Sequence, residues 1–203
     1  YKESGLLPEW ASPGHRDCMV GNNSASVVAD AYIKGLRGYD IETLWEALKH
    51  GANAHLRGTA SGRLGYESYN QLGYVANNIG IGQNVARTLE YAYNDWAIYT
   101  LGKKLGKPES EIDIYKKHAL NYQNVYHPER KLMVGKDNKG VFNPNFDAVD
   151  WSGEFCEGNS WHWSFCVFHD PQGLINLMGG KKEFNAMMDS VFVIPGKLGM
   201  ESR

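Results

Sequence analysis

The sequence predicts an all-α fold, and three observations support that class. Apolar residues recur at steps of three and four along several segments, and glycines and capping residues stand at the ends of those segments. No segment of useful length alternates with the period of a strand. Helical hairpins joined by short turns on one side and long loops on the other could close into an (α/α) toroid or stack as a solenoid. The sequence has no fixed-period repeat, which weakens the solenoid.

Two helices are predicted in the first quarter of the chain. The first covers residues 24–34, because Asn and Ser residues that favour N-caps precede it and glycines follow it. Asp40 is the predicted cap of the second helix, which carries apolar residues at helical spacing and ends near Gly51. Residues 51–82 are rich in glycine and asparagine with weak periodicity, so we expect a long irregular connection of the kind that often carries function.

The clearest helix is predicted over residues 84–105, where Gly106 ends it. Ser110 and Asp113 resemble a capping box for the next helix, which carries a stripe of tyrosines as far as Tyr126. These two helices should pack as an antiparallel pair. The apolar face of the longer helix is formed by residues at steps of three or four: Val85, Leu89, Ala92, Trp96 and Tyr99.

The last third of the chain begins with turns and ends with helices. Residues 127–151 contain two clusters of Asn, Asp, Gly and Pro, which indicate a loop. Helices are predicted to resume over residues 157–168, 171–178 and 181–191, with a Gly-Gly pair between the last two.

Composition and charge exclude several classes of function. The 203 residues carry a formal net charge of −2, with Lys and Arg scattered along the chain, so nucleic acid is not an expected partner. The longest apolar stretches are too short to cross a bilayer, and we expect no transmembrane segment. Because the sequence starts at Tyr1 without a methionine, both ends could be cut from a longer protein.

Three cysteines give no sign of a disulfide framework or a zinc site, since their number is odd and none forms a CxxC pair. Cys156 and Cys166 would lie about 15 Å apart along a helix, beyond the reach of a disulfide. We therefore expect buried free thiols.

Two carboxylates, Glu154 and Glu157, stand three residues apart among aromatic residues at the predicted start of a helix. Apolar rings and a second carboxylate raise the pKa of a carboxyl group, whereas a helix N-terminus lowers it. If desolvation dominates, one of the two is a proton donor near neutral pH. The alternative is that both are capping acids in a first helical turn, and the spacing does not decide between the two.

Other ionisable residues give weaker indications. His169 and Asp170 could form an acid–base pair, although a helix-ending His with a capping Asp before Pro171 is the commoner arrangement. Glu90 and Asp95, on the longest predicted helix, are expected to be solvated or paired.

A series of short motifs, in one order along nearly the whole chain, carries a resemblance to a known family. The motifs are GLLPEW at 5–10, MVG at 19–21, ADAYIKG at 29–35, GYV at 73–75, TLEYAYNDW at 88–96, CEGNSW at 156–161, HDPQGLI at 169–175 and MGG at 178–180. In these motifs the chain resembles glycoside hydrolase family 92, the exo-acting α-mannosidases. The resemblance implies an (α/α)6 toroid and hydrolysis of terminal α-linked mannose with inversion at the anomeric carbon.

The same resemblance assigns roles and partners. It implies that Glu157, in the Glu-Gly-Asn motif, is the general acid that protonates the departing sugar oxygen. Cys156 stands where the family more often has Thr, which removes a hydroxyl beside the acid. The resemblance further implies a calcium ion, a mannose-containing glycan as substrate, and a secreted, periplasmic or cell-surface location. It makes no prediction of oligomeric state.

The resemblance also implies that residues 1–203 form a part of the toroid. The family's N-terminal β-sandwich and the C-terminal part of the toroid are expected outside this chain. The general base that inversion requires, roughly 6.5–9.5 Å from the acid, is expected there too. So are most of the calcium ligands, and no metal ligand is predicted among these residues.

Three further residues are candidates for binding the sugar. Arg16 precedes the MVG motif, and its guanidinium fork suits vicinal hydroxyl oxygens. Trp10 and Trp161 are candidate platforms for a sugar ring, with simple packing in the core as the alternative.

Two other functions remain open at this point. The chain could be a helical carbohydrate-binding or scaffold module without turnover, because the base is missing from it. It could also belong to a toroidal glycosidase that acts on another sugar, since a helical scaffold does not by itself select a substrate.

Overall fold

The computed structural model describes residues 1–10 and 15–195, and the elements in these ranges are almost all helical. The α-helices are α1 (Ser24–Ile33), α2 (Ile41–Gly51), α3 (Tyr66–Leu72), α4 (Asn84–Leu105), α5 (Glu109–His118), α6 (Ser160–Trp163), α7 (Pro171–Leu177) and α8 (Lys181–Ser190). Three short elements follow α5: a 3-10 helix (Asn121–Val125) and the antiparallel strands β1 (Tyr126–His127) and β2 (Leu132–Met133). The prediction of an all-α chain is confirmed.

Helix α4 is the centre of the fold and has the bounds that the sequence predicts. The backbone amide of Asn22 donates to Asn94 Oδ1 at 2.7 Å, which places the start of α1 against the middle of α4. Helix α5 packs back along α4, as predicted, after a turn at Gly106 with φ +72°. Trp96 was placed on the apolar face, but it is 37% exposed and stacks on Tyr93. The physical reason is that α4 is packed on several sides, so its buried positions do not form one stripe.

Two hydrophobic clusters divide the core between the two halves of α4. One cluster joins Val85 and Leu89 to residues from late in the chain, such as Leu174. The other joins Ile98 to residues of α1, α2 and α5, such as Trp45. Helix α4 therefore connects the helices before it to the loops and helices after it.

A buried ion pair fastens the connection over residues 51–82 to α4. Arg63 Nη1 lies 2.8 Å from Asp95 Oδ1, and both side chains are at most 1% exposed. Tyr69, on α3, donates from its hydroxyl to Asp95 Oδ2 at 2.9 Å. The connection is thus less irregular than predicted, because α3 forms inside it and is held by a charge of α4. Asp95 itself is paired, which was one of its two predicted states.

Several predicted helix ends are confirmed, and both predicted ends of α5 are wrong. Asp40 accepts from Thr43 N at 3.0 Å, and Asp170 accepts from Gly173 N at 2.9 Å, as capping residues do. The capping box over residues 110–113 does not form. Helix α5 begins at Glu109, two residues before the start that a cap at Ser110 predicts, since Pro108 in extended backbone already sets the direction of the chain. The tyrosine stripe also leaves the helix, which ends at His118.

The helix predicted over residues 157–168 is wrong for most of its length. Helix α6 covers Ser160–Trp163 alone, and Glu157 has a left-handed backbone with φ +47°. A residue with positive φ cannot continue a right-handed helix, so the chain enters α6 from a loop.

The sequence predicts free cysteines and no membrane-spanning helix, and the described part of the chain bears on both predictions. Cys18, Cys156 and Cys166 are free thiols, as expected, although Cys18 and Cys166 are not fully buried. No helix in the described ranges is both long and apolar enough to cross a membrane.

Candidate active site

Three loops meet at the N-terminal ends of α1, α4 and α6. Val20, Ala86 and Cys156, one from each region, pack against one another. Gln83 N donates to Gly153 O at 2.7 Å, and Val85 N donates to Glu154 O at 3.0 Å, so backbone hydrogen bonds join two of the loops directly. We call this surface, formed by residues 19–23, 82–86 and 152–159, the three-loop face.

The three-loop face concentrates unusual backbone conformations. Of the five non-glycine residues with positive φ in the described ranges, four lie on it. They are Met19 (φ 67°), Gln83 (φ 57°), Ser152 (φ 73°) and Glu157 (φ 47°). Such conformations persist where the surroundings over-determine them, and they cluster at functional sites.

Glu157 presents a free side chain on a fixed backbone. Its side chain is exposed and makes no hydrogen bond or ion pair with another described residue. On one side of it, Trp163 Nε1 donates to Cys156 O at 2.9 Å, and on the other, Ser152 N donates to Gly158 O at 2.8 Å. Because the side chain is exposed, the described residues do not withdraw its carboxyl group from water, as the desolvation alternative would require.

Glu154, three residues earlier, has the opposite environment. Its Oε2 accepts from Gly135 N at 2.9 Å, and its Oε1 accepts from the side-chain amides of Asn77 and Asn143 at 3.3 and 3.2 Å. The carboxylate therefore holds loops together and is not available for proton transfer. Neither carboxylate caps a helix, although the backbone carbonyl of Glu154 accepts from Val85 N at the start of α4, so the prediction of capping acids is wrong for both.

Asn159 is the residue that caps α6. Its Oδ1 accepts from Trp161 N at 3.0 Å and from His162 N at 3.4 Å, while His162 Nδ1 accepts from Asn159 N at 3.2 Å. This reciprocal capping box fixes the start of the helix at Ser160, three residues after Glu157. Trp161, a predicted sugar platform, is the second residue of α6 and is half-buried. Its binding role stays a prediction.

The structure brings two predicted sugar-binding residues together. Trp10, 49% exposed, and Arg16 line one open cavity of about 540 Å³, to which His15, Asp17 and Cys18 also contribute. Residues 11–14, between them, lie outside the described ranges. Glu157 and Trp161 do not line this cavity, so the four predicted residues do not form one pocket in the described part of the chain.

Glu9 is a half-buried carboxylate against the start of α1, and the sequence analysis assigned it no role. It accepts from Ser24 N and Ser24 Oγ, both at 2.9 Å, and from Asn22 Nδ2 at 2.6 Å. Burial raises its pKa, although these hydrogen bonds favour the ionised form. No local signal could identify it, because its partners lie more than ten positions further along the chain.

Glu90 is another carboxylate whose environment differs from the one that the sequence predicts. It is half-buried on α4, and it forms no hydrogen bond or ion pair with any residue in the described ranges. Burial raises its pKa from 4.5 to about 7. The expectation that it is solvated or paired is therefore wrong.

Comparison with known sequences decides the family. The sequence model of the glycosyl hydrolase family 92 catalytic domain matches residues 1–202. The chain belongs to this family. An inverting family 92 mannosidase from Bacteroides thetaiotaomicron is 48% identical, with a TM-score of 0.90 over 98% of this chain and 27% of that one. A family 92 α-mannosidase from the same organism is 36% identical, with a TM-score of 0.79 over 87% of this chain and 22% of that one.

A further relative comes from Arthroderma benhamiae and is named an uncharacterized secreted glycosidase. It is 31% identical over 93% of this chain and 28% of its own length. The chain spans about a quarter of the length of these family 92 relatives. Family 92 mannosidases have an (α/α)6 toroid, and this helical chain is a part of one. The predicted toroid is confirmed in preference to the solenoid.

The resemblance to family 92 implies a calcium ion, and the described side chains either could or could not form its binding site. Calcium takes roughly six to eight oxygen ligands, with carboxylates prominent among them. Residues 1–10 and 15–195 contain no group of three or more His, Cys, Asp or Glu side chains that could hold a metal ion. The described residues do not by themselves fit a calcium site.

Proposed function

We propose that the full-length protein that carries this chain hydrolyses terminal α-linked mannose with inversion, and that Glu157 is its general acid. Family membership supports the reaction class, and the two similar structures are named mannosidases, one of them inverting. The proposal depends on one observation above all: the carboxylate of the Glu-Gly-Asn motif is exposed on the three-loop face without a partner in the described ranges.

The surroundings of Glu157 suit proton transfer to a departing sugar oxygen. A general acid must reach the glycosidic oxygen and release its proton as the carbon–oxygen bond breaks. A side chain without competing hydrogen bonds can do so, while the bonds at Cys156 O and Gly158 O keep its backbone in place. An inverting enzyme needs a second carboxylate roughly 6.5–9.5 Å away to activate water. We place that base outside these 203 residues, so Glu157 is one half of a catalytic pair.

Replacement of Glu157 by Gln tests the assignment. In the full-length protein we expect kcat/KM to fall by roughly 10²- to 10⁴-fold for mannosides with poor leaving groups, since these need protonation as they depart. Dinitrophenyl mannosides should lose far less, because their leaving group departs without a proton.

The matched control is Glu129→Gln, another exposed glutamate without a partner in the described ranges. It should behave as the wild-type protein does. Near-normal hydrolysis of poor leaving groups by Glu157→Gln would refute its role. Faster turnover of α-glucosides than of α-mannosides by the wild-type protein would instead favour a toroidal glycosidase with another substrate.

We also propose that the full-length protein requires calcium, with its main ligands outside this chain, and that it is secreted, periplasmic or bound at the cell surface. A relative that is named as secreted supports the location. No catalytic step is assigned to the ion. Chelation should abolish mannoside hydrolysis, and added calcium should restore it in the wild-type protein but not in Glu157→Gln. Full activity after exhaustive chelation would contradict the requirement.

A further inference from the structure

Glu90 lies on the face of α4 that runs under the three-loop face. Residues four apart on a helix share a face, so Glu90 lies between Ala86 and Asn94. Ala86 packs against Val20 and Cys156. Asn94 accepts from Asn22 N at 2.7 Å, and its amide donates to the side chain of the adjacent Asn23 at 2.9 Å. The carboxylate of Glu90 is thus placed between the loop before α1 and the loop that carries Glu157.

Electrostatics place the Glu90 carboxylate near the same segment. Burial, and after it the charge of Glu90, raises the pKa of the Cys166 thiol to about 11. Burial raises the pKa of the Cys156 thiol as well, and the charges of Glu157 and Glu90 add to the effect. Because Coulomb interactions fall with distance, Glu90 lies within reach of both sides of α6.

The other carboxylates that are withdrawn from water in the described ranges have protein partners. Glu9 caps α1, Glu154 accepts from three amides, Asp95 pairs with Arg63, and Glu111 accepts from Lys49 at 2.6 Å. Glu90 differs from them, because no donor in the described ranges reaches it. Desolvating an unpartnered carboxylate costs free energy that the fold does not recover by itself. An uncompensated carboxylate of this kind indicates a ligand.

We propose that Glu90 accepts a hydrogen bond from a hydroxyl group of the glycan bound at the three-loop face, and so contributes to sugar specificity. The proposal rests on the proposed function, since it assumes that a sugar binds beside Glu157. A sugar hydroxyl can donate to a carboxyl oxygen, which accepts hydrogen bonds whether the group is ionised or protonated, so the two are complementary. A basic side chain from another part of the catalytic domain is the competing partner, and the experiment below separates the two.

The test compares mannosides that lack single hydroxyl groups. In the full-length protein, Glu90→Ala should lower kcat/KM for the parent mannoside by roughly 10- to 100-fold, the loss expected for a hydrogen bond to a charged group. Wild-type protein should lose a similar factor on one of the deoxy mannosides. Glu90→Ala should lose nothing further on that substrate, because the same interaction is already absent. Glu90→Gln keeps the shape of the side chain and one acceptor, and should lose less.

Controls make the result decisive. Glu129→Gln should retain the wild-type response to every deoxy sugar, and circular dichroism should show that all variants fold. If both Glu90 variants keep the wild-type deoxy profile, or lose only thermal stability, Glu90 pairs with another protein group and the inference is wrong. If the wild-type protein prefers another sugar, the proposed function fails, and the deoxy series of the preferred sugar tests Glu90 instead.

Discussion

Glu154 and Glu157 have opposite environments although three residues separate them. Glu154 accepts three hydrogen bonds from other loops, while Glu157 accepts none from the described residues. A carboxylate that accepts several N–H bonds is held in one position, which suits a structural role. A carboxylate without partners is free to meet a substrate. The surroundings of each residue therefore separate the structural glutamate from the candidate acid, which their spacing could not do.

Gly135 should be essential for the position of Glu154. A Cβ atom at residue 135 would lie 2.2 Å from Glu154 Oε1 and 2.8 Å from Asn84 Oδ1. Gly135→Ala would thus displace the carboxylate, and we expect a loss of about 1–3 kcal/mol in the free energy of unfolding. Urea denaturation of the full-length protein measures it.

Gly82→Ala is the matched control for this substitution. The nearest atom to a Cβ at residue 82 is 4.0 Å away, and its backbone is not left-handed. This variant should keep its stability to within about 0.5 kcal/mol. Equal losses in the two variants would show that Glu154 does not constrain residue 135.

Helix α6 shows how a very short element can be fixed by its ends. Four residues cannot form a stable helix alone, because the free energy needed to nucleate a helix exceeds the stabilisation from so few hydrogen bonds. The capping box between Asn159 and His162 supplies bonds at the first turn. Ser160 Oγ donates to Met133 O at 2.7 Å and joins the helix to β2. These contacts position the loop that precedes α6, and with it Glu157.

Helix α1 is capped from outside its own neighbourhood. Asn23 is at the N-cap position but forms no side-chain cap, and the carboxylate of Glu9 accepts from Ser24 N instead. A negative charge at a helix N-terminus interacts favourably with the helix dipole. The GLLPEW motif is thus held against α1, which places Trp10 beside the loop that carries Arg16.

The whole molecule depends on the buried pair of Arg63 and Asp95. It joins the long connection to α4, and the Arg63 guanidinium also lies 5.3 Å from the ring centre of Tyr91. Removal of one partner from a buried pair leaves an uncompensated charge. We therefore expect Asp95→Ala to lower the free energy of unfolding by about 3–5 kcal/mol, measured by urea denaturation.

Asp113→Ala is the control for a pair at the surface. Asp113 lies 2.7 Å from Lys117, and their side chains are 44% and 71% exposed. Exposed pairs of this spacing contribute less than about 1 kcal/mol. The importance of the buried pair would be disproved if Asp95→Ala were no less stable than Asp113→Ala.

Local patterns were sufficient to predict the helical class, the bounds of α4 and the caps of α2 and α7. Each of these depends on residues within a few positions of one another, so the sequence states them directly. Patterns failed where the tertiary structure decides. Helix α3 forms where the hydroxyl of Tyr69 donates to Asp95, and the helix predicted from residue 157 begins only at Ser160, because Glu157 has a left-handed backbone. The prediction that Trp96 lies on the apolar face of α4 was wrong for a similar reason, since neighbouring elements bury α4 on several sides.

By itself, then, the sequence determined the fold class and the family, because periodicity, capping residues and ordered motifs can all be identified from the order of the amino acids. The tertiary structure alone decided which carboxylates are free. Glu9 and Glu154 meet donors that are distant along the chain, whereas Glu157 and Glu90 meet none in the described ranges. The availability of a carboxylate is set by what packs around it in space, and that depends on residues that no local pattern brings together.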